Sequence, residues 1–466
     1  MSEPFLARDA LAWTGGELVH GSPDERLAGV SIDTRTLGQG ELFLAVVGTS
    51  HDAHRFLEQA LAGGAGGLLV ERRRELPGSL PEALPAIAVP ETTRALGALA
   101  AGHRARFAGP LVAITGSSGK TTTKEMCAAI LGQAAPCLKN AGNLNNQYGL
   151  PLTLLRRGAE HASVVVELGM NHRGEIAALA AIALPTVAVI TNAGSAHIEN
   201  LGSRDEIARE KGDILTGLAA GGTAVLNADD PRVLAQAERT RERVLLFGSG
   251  PGADVRALDV RRVGFGLSFE LASPAGRAAV SVAGLGEGTV SNALAAAAAA
   301  LASGAGLGDV ASGLARWRPL AGRLHPIELP GDLLVLDDAY NANPQSLENA
   351  LRLLASLGEG GRSIAVLGDM GELGAASEGA HREVGRLVAG LGIDFLFAVG
   401  ERAPLVAAGA REAGMQAARA HACKSHAEAA LGVLALWQAG DRVLVKGSRS
   451  ARMERVVEQL VAEKRP

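Results

Sequence analysis

Aromatic residues are scarce in this chain: 9 Phe, 3 Trp and 2 Tyr make up 3% of its 466 residues. Its cores therefore have to be assembled from Ala, Leu and Val, and a hydrophobic share of 47% is ample for several of them. Cysteine is scarcer still. Cys127, Cys137 and Cys423 form an odd set without C-x-x-C spacing, which excludes a disulfide framework or a Cys-rich metal site and suits a reducing compartment. Neither sign of charge dominates. With 45 Lys and Arg against 49 Asp and Glu, the net charge is −4, and nothing argues for a nucleic acid partner. The N-terminus lacks a basic region followed by an apolar core, and the most apolar run, Ala293–Ala302, is too short and weakly hydrophobic to span a bilayer. The expectation is a cytoplasmic monomer with no transmembrane segment.

What is present is punctuation and alternation. The length suggests more than one domain. Four prolines, Pro77, Pro81, Pro85 and Pro90, crowd the stretch Glu75–Thr93, which reads as a linker or edge passage. A second candidate boundary, RWRPLAGRLHPIELPGD at Arg316–Asp332, again sets Pro and Gly around short apolar pieces. These cuts divide the chain into residues 1–88, 89–317 and 318–466, each of single-domain size.

In the middle piece, buried strands alternate with helices: LVAIT then Lys120–Gln133, SVVVEL then Gly174–Ile182, TVAVITNA then Arg204–Leu218, and GTAVLN then Asp230–Arg241. That alternation is the mark of a parallel sheet covered on both faces. The last piece repeats it with LLVLDDAY, RSIAVLGDM, DFLFAVG and DRVLVKGS, so its ligands are expected at the carboxyl ends of the strands. The fold class expected is α/β in three domains: a small mixed N-terminal domain, a central P-loop-like parallel-sheet domain and a C-terminal Rossmann-like domain. Gly248–Ala283 carries nothing distinctive.

The clearest chemical motif is TGSSGKTTTK, Thr115–Lys124. A strand, the turn Gly116-Ser117-Ser118-Gly119 and a helix opening at Lys120-Thr121 bring backbone N–H groups and a positive helix end to one point, where a polyphosphate can sit. Lys120 supplies charge to the terminal phosphates, and the Thr121 hydroxyl is placed for Mg²⁺. The general pattern has a glycine where this chain has Ile114.

Three polar residues follow strands in the same domain: Glu167 after VVVEL opens, His197 in TNAGSAHIENLG and Lys211 in REKGDIL. Together they suit an oxygen-and-nitrogen shell for a metal. Singly they read as a strand-end cap, a loop histidine and a surface lysine. The asparagine-rich Asn140–Leu155 suits a loop gripping a polar ligand. In the last piece, the adjacent acids Asp337 and Asp338 need cationic or hydrogen-bonding company, and Lys446, Ser448 and Arg449 form a cationic cluster at a strand end.

TGSSGKTTTK, NAGNLNNQYGLPLTLL, the run from VVVELGMN to REKGDIL, and GRLHPIEL resemble, in order, the motifs of the Mur ligases of peptidoglycan synthesis. LDDAYNANPQSL, VLGDMGELGAASEGAHREVG and VLVKGSRSARMERVV are similar to the member of that family that adds a dipeptide, and SIDTRTLGQGELFLAVVGTSHDAHRF resembles its UDP-binding domain.

The resemblance implies an ATP-dependent ligase joining D-alanyl-D-alanine to UDP-N-acetylmuramoyl tripeptide through an acyl phosphate. Its cofactors would be ATP, two Mg²⁺ and a carbamylated lysine at Lys211. It implies that Thr115, Gly116, Ser117, Ser118, Gly119, Lys120, Thr121 and Thr122 bind ATP, with Asn292 facing adenine and Arg323, Asp337, Tyr340 and Asn341 contacting the nucleotide. Thr121, Glu167, His197 and Lys211 become metal-site residues, and the catalytic set is Lys120, Glu167, His197 and Lys211. Ser31, Asp33 and Arg35, with Asn143, Asn145 and Asn146, would hold the UDP-linked substrate. Two places depart from the family pattern: GEGTVSN lacks a histidine before Asn292, and His51 stands where glycine or an acid is common.

Overall fold

A computed structural model describes residues 2–48, 51–194, 198–357 and 361–464. The N-terminal region is built on a five-stranded sheet in the order Glu17–His20, Ala86–Val89, Gly67–Glu71, Leu42–Leu44, Val30–Ser31. Only Glu17–His20 runs antiparallel to its neighbour. The proline-crowded stretch is therefore more than a linker. Its AIAV segment is a fully buried interior strand, flanked by Pro85 and Pro90, so the prolines sit where no ladder N–H is required. That strand also runs one residue past the expected boundary at 88.

The central sheet has six strands, all parallel, in the order Arg243–Phe247, Thr223–Asn227, Val187–Ile190, Leu111–Thr115, Ser163–Glu167, Cys137–Lys139. The chain begins this sheet in its middle, at Leu111–Thr115, builds to one side and then returns to build to the other. The carboxyl end of Leu111–Thr115 is thus the switch point at which open α/β sheets present a crevice. Helix Lys120–Leu131 leaves directly from that end.

The alanine run has a packing role. Residues Ala293 to Ala300 of helix Glu287–Ala302 are all buried, in one core with Met126, Ile130 and the strand residues Val112 and Ile114. Side chains this small let two helices approach closely over a sheet, which is how a chain poor in aromatics fills its core. The undistinguished stretch after Gly248 holds a three-stranded antiparallel sheet, Arg256–Val263, Gly266–Ser273 and Gly276–Ala283, joined by two short turns.

The C-terminal sheet runs His325–Leu329, Leu333–Asp338, Arg442–Lys446, Ser363–Gly368, Phe395–Val399, Ala420–Cys423. It is parallel except for the edge strand His325–Leu329. Pro326 lies in that edge strand, where a missing N–H is tolerated, so the second proline-rich boundary also contains a strand. The register sets Asp338 beside Lys446. Among the described residues no helix is long and apolar enough to cross a membrane.

Candidate active site

The phosphate loop forms as its residues require. Gly119 has φ +79°, and a Cβ there would lie 2.2 Å from the Asn292 side-chain oxygen. Gly116 passes so close to Thr191 that a Cβ would lie 1.8 Å from its hydroxyl. Both positions need glycine for the approach as much as for the turn. Ile114 is the buried fourth residue of the strand, paired with Glu167, so the loop starts later than the general pattern and Gly116 does the turning.

The loop is held from the next strand. Ser117 N–H donates to the Asn192 carbonyl (3.0 Å), and Ser118 N–H donates to the Asn192 side-chain oxygen (3.0 Å). The Thr191 hydroxyl donates to the Ser118 carbonyl (2.7 Å), and Gly194 N–H donates to the Ser117 hydroxyl (2.8 Å). Asn192 and Thr191 were missed in the sequence, although their place directly after the strand Val187–Ile190 was the available signal.

Lys120 is partly buried, and its ammonium donates to the Gly116 carbonyl (2.7 Å). Burial pulls its pKa below the usual lysine range. The carboxylates of Glu167 and Glu372 oppose that shift, and the Arg323 cation adds to it. Thr121 and Glu167 are 7% and 4% exposed, and the Thr121 hydroxyl donates to Glu167 Oε2 (2.8 Å). Asn145 Nδ2 donates to Glu167 Oε1 (2.8 Å), while Glu167 N–H donates to the Asn140 side-chain oxygen (2.9 Å).

From the hinge, Arg323 Nη2 donates to the Thr121 hydroxyl (2.9 Å), and its guanidinium lies 4.1 Å from the centroid of the Tyr340 ring. The stacking and the hydrogen bond together hold a cation from the C-terminal part against the central domain. Asn292 stands beside Gly119 and accepts from the Thr123 hydroxyl (3.3 Å). Thr122 is the third residue of the helix's opening turn beside these groups.

Lys211 is 1% exposed, at the end of helix Arg204–Gly212. Burial pushes its pKa well below the ordinary lysine value, and the Lys120 cation adds to that. Glu210 and Glu167 pull the other way. A surface role is excluded by this burial. Glu210, not picked out in the sequence, caps helix Glu175–Ala183 by accepting from Gly174 and Ile176 N–H. His197 lies outside the described residues.

The remaining residues separate. Asp337 accepts from the N–H groups of Gly322 (2.8 Å) and Ala339 (3.2 Å), so its carboxylate holds the backbone beside Arg323. Asn341 contributes its carbonyl to the Lys446 ammonium (3.0 Å), which also meets Asp338 at 2.5 Å. Asn146 caps helix Gly149–Leu155 with its side-chain oxygen, and Asn143 is exposed. Ser31, Asp33 and Arg35 gather in the N-terminal domain just after strand Val30–Ser31. Asp33 and Arg35 form an ion pair at 2.6 Å, and hydrogen bonds from Arg35 lower the Asp33 pKa to about 2.

The geometry thus brings the phosphate loop, the Thr121 and Glu167 oxygens and the Lys120 and Arg323 cations together at the carboxyl ends of the central strands, with the buried Lys211 in electrostatic reach of Lys120 and Glu167. Comparison with known proteins gives the same region a context. The Mur ligase middle domain matches residues 114–300, and the Mur ligase glutamate ligase domain matches residues 322–449. The chain is 41% identical over 441 residues to the UDP-N-acetylmuramoyl-tripeptide–D-alanyl-D-alanine ligase of Escherichia coli strain K12, covering 94% of each. A crystal structure of MurF from Acinetobacter baumannii superposes with a TM-score of 0.90 at 36% identity, covering 99% of both chains. MurF ligase from Thermotoga maritima, solved in complex with ADP, gives 0.82 at 29% identity, covering 93% of this chain and 97% of that one.

Proposed function

The chain belongs to the Mur ligase family, and from that premise we propose that it joins D-alanyl-D-alanine to UDP-N-acetylmuramoyl tripeptide. The γ-phosphoryl group of ATP passes to the tripeptide's terminal carboxylate, giving an acyl phosphate and ADP. The dipeptide's amine then attacks the acyl carbon. The new C–N bond forms, the C–O bond to phosphate breaks, and the amine gives up its proton, leaving the pentapeptide precursor of peptidoglycan and inorganic phosphate.

The observation that carries this reading is the convergence on Thr121. The phosphate loop, Glu167 and the hinge residue Arg323 all meet at that one hydroxyl. Phosphoryl transfer asks mainly for positioning and for cations where charge develops. Lys120 and Arg323 flank that point from two different domains, so closure of the C-terminal domain completes the site. The N-terminal loop of Ser31, Asp33 and Arg35 takes the UDP end of the substrate, with Asn143 near the muramoyl peptide, and Asn292 faces adenine. The reading includes a monomer working in the cytoplasm.

Magnesium fits the donors present. Thr121 and Glu167 offer hard oxygens, and among the described residues no three His, Cys, Asp or Glu side chains gather. That suits an ion held by one or two protein oxygens together with phosphates and water. When bound, Mg²⁺ would neutralise phosphate charge during transfer. His197 and Lys211 belong to the second metal position in this reading. Lys211 supports it through its burial, which favours the neutral amine. A neutral amine can add to CO₂, forming an N–C bond and releasing a proton, and the resulting carbamate is an anion beside Lys120.

Phosphate release with Mg-ATP, measured with each substrate alone and with both, tests the reading. Release that requires both substrates is the expected result. Equal turnover without them would mark a P-loop ATPase instead and end the proposal.

A further inference from the structure

One buried cation takes no part in the chemistry above. Lys124 closes the motif TGSSGKTTTK and lies one turn beyond Lys120 on the same helix, yet its side chain is fully buried. Its ammonium donates to the Asn140 carbonyl at 2.6 Å and pairs with Glu125 at 3.1 Å. Burying a lysine here is costly unless those partners are held in place.

Asn140 is also fully buried and faces three ways. Its carbonyl takes the Lys124 ammonium, its side-chain oxygen takes Glu167 N–H at 2.9 Å, and its Nδ2 donates to the Leu144 carbonyl at 3.0 Å. Leu144 precedes Asn145, whose amide reaches Glu167 Oε1 at 2.8 Å and whose carbonyl takes Gly169 N–H at 2.9 Å. The asparagine-rich loop is therefore fastened to the strand end that bears Glu167, from both sides of that residue. Glu167 is fixed at its backbone by Asn140 and at its carboxylate by Asn145 and Thr121.

We propose that Lys124 is a positioning residue for Glu167, acting through Asn140 to aim that carboxylate at the metal beside Thr121. This rests on the ligase reading for the identity of the metal site. It assigns Asn140 and Asn145 to the shell around Glu167, whereas the sequence pointed to the loop as a grip on substrate. Partners behind a metal ligand typically alter metal affinity or activity about 10- to 100-fold.

The test uses the full-length enzyme and two variants, Lys124→Met and Asn140→Ala, alone and combined. Two quantities are read: Mg²⁺-dependent ADP binding by calorimetry, and the Mg²⁺ and D-Ala-D-Ala concentrations at half-maximal phosphate release. Each variant is expected to weaken Mg²⁺-dependent ADP binding and to raise the half-maximal Mg²⁺ about 10-fold or more, with the D-Ala-D-Ala value changed less than about two-fold. The double variant should add little to the stronger single one, because both break one chain of contacts. Unchanged Mg²⁺ dependence with only a lowered melting midpoint would overturn the proposal, as would additive effects. Should Lys124→Met precipitate, Lys124→Gln must show the same Mg²⁺-specific shift or the proposal fails. A parent enzyme that binds Mg-ADP yet makes no amide would refute the ligase reading alone, since the calorimetric arm stands without turnover.

Discussion

Lys211 and Lys446 are the same residue type at almost the same burial, 1% and 2% exposed, one at the end of helix Arg204–Gly212 and the other at the carboxyl end of strand Arg442–Lys446. Their surroundings differ in kind. Lys446 has a dedicated counter-charge on the adjoining strand, Asp338 at 2.5 Å, and a carbonyl from Asn341. Burial raises the Asp338 pKa, and the Lys446 cation pulls it back toward the charged form. At Lys211 burial is the main cause of a pKa far below the usual value; the Lys120 cation adds to it, and the Glu210 and Glu167 carboxylates oppose it. Lys446 is a strut that neutralises a buried acid, and Lys211 is a buried amine to which the proposed function gives a chemical role. Burial is common to both lysines, and what separates them is the direct carboxylate contact that Lys446 makes with Asp338.

The contrast breaks most visibly in activity. Lys211→Ala is expected to lower turnover by roughly a thousand-fold or more, the scale of losing a group at the developing charge. Small carboxylates such as acetate should restore part of it in a phosphate-release assay. Activity near the parent's would place Lys211 with the struts.

Stability supplies the complementary break. Lys446→Met leaves Asp338 buried without its partner and should cost about 3–5 kcal/mol in denaturant unfolding. Adding Asp338→Asn should recover much of that loss, and no recovery would mean that the pair is not what holds the strands.

A pH series sharpens the difference. The native Lys211 pKa lies below the unfolded value of 10.5, so between the two the unfolded chain binds the extra proton and stability rises with pH. In CO₂-free buffer, the stability of the parent relative to Lys211→Met should therefore improve as the pH rises toward the unfolded lysine value of 10.5. A flat difference would contradict the burial of a neutral amine.

The smallest effect is expected far from both lysines. Arg35 is exposed and its ion pair is with the neighbouring Asp33, so Arg35→Ala should leave the melting midpoint unchanged. If the loop holds the UDP end, the KM for the UDP-linked substrate should rise about ten-fold with kcat little altered. An unchanged KM would remove Arg35 from the substrate site.

Much of this architecture was legible in the residues because parallel strands buried on both faces read as short apolar runs. LVAIT, SVVVE and LLVLDD are each strands, and the phosphate loop lies between its strand and its helix. AIAV was hidden by the prolines around it, and the antiparallel sheet after Gly248 by exposed arginines and glycines that blur its alternation. At the site, Gly116–Thr121 and Glu167 could be read from local motifs. Asn140, Lys124 and Asn192 could not be ranked so easily, because their partners lie 16 to 74 positions away and only folding brings them together. Lys211 looked like an exposed helix lysine on residue type alone. Its burial comes from packing that no single segment encodes.

The most direct measurement of the difference between the two lysines is ¹³C NMR of the enzyme in ¹³C-labelled bicarbonate. A carbamate resonance in the parent and in Lys446→Met, absent from Lys211→Ala, is the result expected. No such resonance in the parent, or one that survives Lys211→Ala, would contradict the assignment of Lys211 as the chemical lysine.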